Sequence, residues 1–185
     1  MTKEDSLKNL ERVNFWVSNC DGKVSFLLVI QGVVLSIIFT SSYSTVFLET
    51  LSRQFSFDNL TTKTFLNFIE GSFLLLFFLC IFLSFYNIYN VLSARLDPAI
   101  FKQKGLEVNS HLFFNTIAQK EFAKFKSDNE TITEDALLND IDSQVYINSK
   151  ICSLKFYHYN LSLKYSAASF LFGVIYLLIR LKVNV

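Results

Sequence analysis

Three long apolar stretches constrain this chain more than any other feature. They run Val24–Leu48, Thr64–Leu92 and Leu161–Val183. The hydrocarbon core of a bilayer is about 30 Å thick and takes about 20 apolar residues of helix to cross. The first two stretches exceed that length, and the third lies close to it. A short polar connection, residues 49–63, joins the first pair. A polar stretch, residues 93–158, separates the third. This grouping predicts an all-α integral membrane protein. About three transmembrane helices form a helical bundle and extend into a small cytoplasmic helical module. The expected segments are an N-terminal amphipathic helix over 1–23, a two-span hairpin over 24–92, a helical module over 93–158 and a third span over 159–185.

Composition agrees with helices rather than sheet. The chain of 185 residues holds 21 Phe but 5 Gly and 1 Pro, too few breakers for a turn-rich fold. A hydrophobic fraction of 51% would also suit a soluble domain, so the blockwise distribution decides the class. The net charge is +1, and no basic stripe occurs, which argues against a nucleic-acid polymer as partner. Cys20, Cys80 and Cys152 fall in three segments with no ligand-spaced histidine, so neither a disulfide framework nor a metal site is expected. His111 and His158 read as solvated or capping side chains. No Gly-rich phosphate loop and no G-x-S-x-G elbow is present. Neither an enzyme nor a cofactor is expected.

Residues 4–20 place Leu7, Leu10, Val13 and Val17 on one helical face and lead into the first span. Trp16 stands just before that span, where an amphipathic ring suits the interface or packs on neighbouring helices. Glu70 lies near the start of the second span and is expected to reach the interface; facing inward, it would be a costly intramembrane carboxylate. Phe85, Tyr86 and Tyr89 form an aromatic belt, and Pro98 favours a helix boundary near Leu96. A helix is expected over His111–Lys126, broken by Ser127-Asp128-Asn129. Thr131-Ile132-Thr133-Glu134 has the form of a capping box. From Glu134 onward, breakers are so sparse that one helix is expected to run through the module and into the third span. Leu138, Ile141, Val145, Asn148, Cys152 and Lys155 recur at helical spacing along it, a seam that turns polar toward the membrane.

Basic residues set the orientation. Arg12, Lys23, Arg95, Lys102, Lys104, Lys155 and Lys164 flank the N-terminal helix and the module, against Arg53 and Lys63 in the short loop. The positive-inside rule therefore places the N-terminus and residues 93–158 in the cytoplasm. Arg180 and Lys182 would then lie outside. That opposes a full third crossing and leaves an interfacial or re-entrant third helix as the alternative to the crossing that its length favours.

Three segments also carry a resemblance. Phe15-Trp16-Val17-Ser18-Asn19-Cys20-Asp21-Gly22-Lys23, followed at once by an apolar span, resembles the opening motif of the Pycsar transmembrane effector family. Leu112-Phe113-Phe114-Asn115-Thr116-Ile117-Ala118 resembles the family's second motif. Asp142-Ser143-Gln144 through Asn148-Ser149-Lys150-Ile151, with Lys155, resembles its third. All three occur in the family's order. Cys20 and Gly22 stand where the family has small residues such as Ala, and Phe156 follows Lys155 where it has Tyr. The resemblance implies an inner-membrane effector of anti-phage defence. It would answer a cyclic nucleotide, a cyclic pyrimidine mononucleotide foremost, by breaching the bilayer and aborting infection.

Trp16, Asn19, Asp21, Lys23, Phe114, Gln144, Asn148 and Lys155 are the candidate polar set. One reading is an interhelical network: an Asp21–Lys155 salt bridge with hydrogen bonds from Asn19 and Gln144. The other is a nucleotide pocket, with Lys for charge, amides for base edges, and Trp16 or Phe114 for stacking. Three helices are too few to enclose a pore, so a homo-oligomer is expected for the effector. The alternatives are a constitutive membrane scaffold or sensor subunit binding a protein partner through 4–20 and 111–126, and a ligand-independent lysis protein.

Overall fold

The computed structural model describes residues 2–40, 43–54, 62–93, 103–107 and 109–183. Every regular element among them is helical. These are α1 (Lys3–Thr40), α2 (Tyr43–Gln54), α3 (Thr62–Leu92), α4 (Phe114–Ala118), α5 (Phe122–Thr131) and α6 (Glu134–Val183). α1, α3 and α6 are each long and apolar enough to cross a membrane. The chain divides into two compact units. One comprises Met1–Gly22 and Leu92–Tyr157, the other Lys23–Val91 and His158–Val185.

In the second unit, α3 buries one continuous seam: Glu70, Leu74, Phe77, Ile81, Ser84, Ile88 and Val91. The steps alternate between four and three, the spacing that keeps one helix face against its neighbours. α1 answers with Val24, Leu27 and Gln31, and α6 with Ser162, Ser169 and Tyr176. The outward faces are the greasy ones: Phe26 and Phe82 are each 69% exposed and Phe170 is 74% exposed. In hydrocarbon such rings gain nothing by leaving the surface. Helix association there rests on close packing and hydrogen bonds rather than on apolar burial. Close packing is visible at Gly173, where an added Cβ would lie 3.2 Å from the Phe77 ring. An apolar cavity of about 270 Å³ lies beside this contact, lined in part by Val34, Ile37, Phe47, Leu74 and Phe170.

The first apolar run is not one helix to Leu48. α1 ends at Thr40, and α2 takes up residues expected at the end of the span and in the loop. Hydroxyl side chains crowd this point and compete for backbone hydrogen bonds; Thr40 donates to the Ser36 carbonyl at 2.6 Å. The expected boundary near Leu96 lies outside the described residues.

In the first unit, α6 organises the polypeptide that precedes it. Asp140 Oδ2 accepts from the His111 backbone N–H at 2.7 Å, and Ser143 Oγ from that of Glu107 at 2.9 Å. Ser110 Oγ accepts from Leu112 N–H and Phe113 N–H. Side chains thus satisfy backbone donors that no helix or sheet ladder serves. Gly105, at φ +88°, makes the turn in this stretch.

The helix expected over His111–Lys126 is two. α4 closes at Ala118, and Glu121 is extended before α5 starts. Ser127-Asp128-Asn129 lies within α5 rather than breaking it. Asp128 accepts from Lys124 at 2.6 Å and from Lys120 at 3.2 Å, which ties the break to the body of α5. Hydrogen bonding from Lys124 foremost, then from Lys120, holds the Asp128 carboxyl below the ordinary carboxylate range. The cap of α6 is Thr133, whose Oγ1 accepts from Ala136 N–H at 3.2 Å. Thr131 instead donates back to the Ser127 carbonyl. The single helix expected from Glu134 onward is present in full as α6.

Candidate functional site

The first unit brings several of the candidate residues together on α1 and α6. Lys155 Nζ donates to Asp21 Oδ1 at 2.6 Å. The lysine is 9% exposed, while the Asp21 side chain keeps 38% of its surface. Water still reaches the carboxylate, so the pair is worth nearer about 1 kcal/mol than the several of a fully buried one. Two turns before Lys155, Asn148 Nδ2 donates to Asn14 Oδ1 at 2.9 Å. Trp16 packs edge-on against Phe156, with centroids 6.4 Å apart, and remains 48% exposed. Asn19 Oδ1 is buried without a hydrogen-bond partner, and Gln144 is 5% exposed.

Phe114 opens α4, is 63% exposed and tilts against Phe113 at 4.9 Å. Lys23 is exposed on α1 and falls in the second unit. His111 and His158 are both half-buried. His158 Nδ1 lies 2.9 Å from Asn87 Oδ1, and His111 Nδ1 is buried without a partner. Among the described residues no group of three or more His, Cys, Asp and Glu side chains could hold a metal ion.

The second unit holds two polar clusters that the candidate set did not contain. At one, Arg180 Nη1 donates to Glu70 Oε1 at 3.1 Å, and Nη2 to Glu49 Oε2 at 3.3 Å. Thr50 Oγ1 lies 3.3 Å from the Tyr176 hydroxyl. Glu70 is 1% exposed, so it faces inward rather than reaching the interface. The physical reason is its partner: Arg180, fourteen residues after Ser166 on α6, supplies the opposite charge where α3 needs it. The other cluster centres on Gln31, whose Nε2 donates to Ser84 Oγ at 2.6 Å and also to Ser166 Oγ. Both serine hydroxyls give their own hydrogen to the Ser162 carbonyl, at 3.0 and 2.8 Å. The two serine hydroxyls also lie 2.9 Å from each other, so Gln31 Nε2, Ser84, Ser166 and the Ser162 carbonyl form one connected network. Gln31 Oε1 is left buried and unpartnered, a cost of about 1–3 kcal/mol.

Sequence signals for these clusters existed. Gln31 is an amide inside an apolar run, and Glu70 and Arg180 are charges within or at the ends of spans; intramembrane polar residues are functional candidates by default. Which of them meet depends on helix pairing.

The comparisons with known proteins agree with the fold. The family model described as the Pycsar effector protein domain matches residues 5–180. The Pycsar effector protein GmPycTM of Gulbenkiania mobilis is 37% identical over 170 residues, covering 90% of this chain and 87% of that protein. No solved structure matches the chain. A match over nearly the whole chain, with three helices of membrane-spanning length and composition, establishes that this protein belongs to the Pycsar effector family, as a transmembrane effector of anti-phage defence.

Proposed function

We propose that the protein senses a cyclic nucleotide, a cyclic pyrimidine mononucleotide foremost, and then breaches the inner membrane so that infection aborts. The N-terminal helix to residue 23 and residues 93–158 form the cytoplasmic sensing part. The hairpin over 24–92 and the third span over 159–185 form the membrane part, assembled from several copies.

The observation that carries the reading is the buried Lys155 ammonium. It is held by one carboxylate that water still reaches, on the same pair of helices as an exposed Trp16 ring and the Asn14–Asn148 amides. A cyclic phosphodiester carries one negative charge and can exchange with Asp21 for the lysine's donors. An aromatic face offers stacking to any base, and amides offer base-edge donors and acceptors. Nucleotide binding that favours an assembled, open state would shift the population toward it. α6 takes part in both the sensing and the membrane part as one uninterrupted helix, which gives the shift a mechanical route.

The test uses cells expressing the full chain, loaded with a membrane-potential dye. Cyclic uridine and cyclic cytidine monophosphate are then supplied by an inducible cyclase. Depolarisation is expected only with nucleotide. Lys155→Met is expected to abolish it at unchanged membrane content of the protein. Absence of depolarisation with every cyclic mono- and dinucleotide would refute the reading.

A further inference from the structure

The cluster around Gln31 is built unlike simple helix glue. Gln31 is 6% exposed and Ser84 is 0% exposed, yet the amide is only half satisfied. Its two N–H groups are used on Ser84 and Ser166, while Oε1 is buried with no partner. Hydrocarbon supplies no donor, so this oxygen calls for water. A structural contact alone would be served better by an apolar side chain, or by a fully paired amide. The polar series continues on the same helices at Asn87 and His158, 2.9 Å apart. α1, α3 and α6 therefore turn their oxygen and nitrogen atoms toward one another. Phe26, Phe82 and Phe170 face the other way.

From this we infer that Gln31, with Ser84 and Ser166, is the water- and ion-contacting layer of the route that opens through the membrane. The inference rests on the proposed function and adds to it the residues that permeating ions meet. Each copy in the assembled state contributes one such set. When α1, α3 and α6 separate, Gln31 Oε1, the Ser162 carbonyl and the two hydroxyls hydrate, and a neutral ring of dipoles results. Such a ring passes small ions with weak preference, because selectivity in pores follows the charge and field strength of the lining. Breach of the bilayer is then conduction along a defined lining rather than general lipid disorder.

The full chain in planar bilayers of phosphatidylethanolamine and phosphatidylglycerol, exposed to cyclic uridine or cyclic cytidine monophosphate across a potassium chloride gradient, tests this. Gln31→Glu adds a fixed negative charge to the layer. The nucleotide-evoked current is expected to shift its reversal potential toward potassium, with a cation-to-chloride permeability ratio raised roughly threefold or more. Ser166→Asp adds the same charge from α6 and guards against a folding defect in the first variant. Gln31→Leu is expected to lower the current about tenfold at unchanged membrane insertion. Wild-type current with selectivity unmoved by both acidic variants overturns this inference alone. A wild-type chain silent to both nucleotides overturns the proposed function and this inference with it.

Discussion

Replacing Arg180 by Leu is the perturbation whose cost the structure fixes most tightly. Arg180 faces two carboxylates in different surroundings. Glu70 is 1% exposed, and its Oε2 has no partner even with the arginine in place. The Glu49 side chain is 51% exposed. Removing the guanidinium strands a buried carboxylate on the first and only releases a wet one on the second. Breaking a buried pair from one side costs about 3–5 kcal/mol, whereas an exposed pair is worth about 0–1. Arg180→Leu is therefore expected to cost about 3–5 kcal/mol, and Glu49→Gln less than about 1. The double variant Glu70→Leu, Arg180→Leu removes both charges and is expected to return within roughly 1 kcal/mol of the wild type, because an apolar pair replaces an ion pair cheaply. Unfolding in mixed micelles with increasing dodecyl sulfate, followed by circular dichroism, measures all four proteins. Equal costs for Arg180→Leu and Glu49→Gln, or a double variant as unstable as Arg180→Leu, would show that the buried pair does not hold α3 to α6.

Three further outcomes are expected. Thr133→Ala should destabilise α6 by about 1 kcal/mol, while Thr131→Ala should stay within about 0.5; hydrogen exchange of the first turn of α6 separates the two. Gly173→Val should cost roughly 1–3 kcal/mol by overpacking against Phe77. Gly173→Ala should lie near neutral, since its helix propensity gain of up to about 1 kcal/mol offsets a tight contact; micelle unfolding reads both. The lowered carboxyl of Asp128 stabilises α5 at pH values above the ordinary carboxylate range, and that contribution is lost as pH falls through the lowered value. Protection of α5 amides in wild type should therefore fall on acidification below about pH 4, and Asp128→Asn should flatten the profile.

Periodicity and apolar length made the helical class, the three long helices and the uninterrupted α6 legible in the sequence. These are properties of consecutive residues: an apolar run of span length stays helical because a lipid environment leaves its backbone no other partner. The Lys155–Asp21 contact was legible too, as one of two readings of the same charges. The end of α1 at Thr40, the break at Glu121 and the cap at Thr133 were not. The first turns on hydroxyls that donate to backbone carbonyls, the other two on which carboxylate or hydroxyl captures a lysine or backbone donor, and near-equal local options leave no mark in composition. The polar clusters lay furthest from reach. Gln31, Glu70 and Arg180 are individually conspicuous in apolar runs, yet their meaning depends on partners 53, 135 and 110 positions away. Only the pairing of α1, α3 and α6 sets them face to face. A buried charge or amide is a cost or a function according to what stands within hydrogen-bond reach, and tertiary structure alone supplies that neighbour.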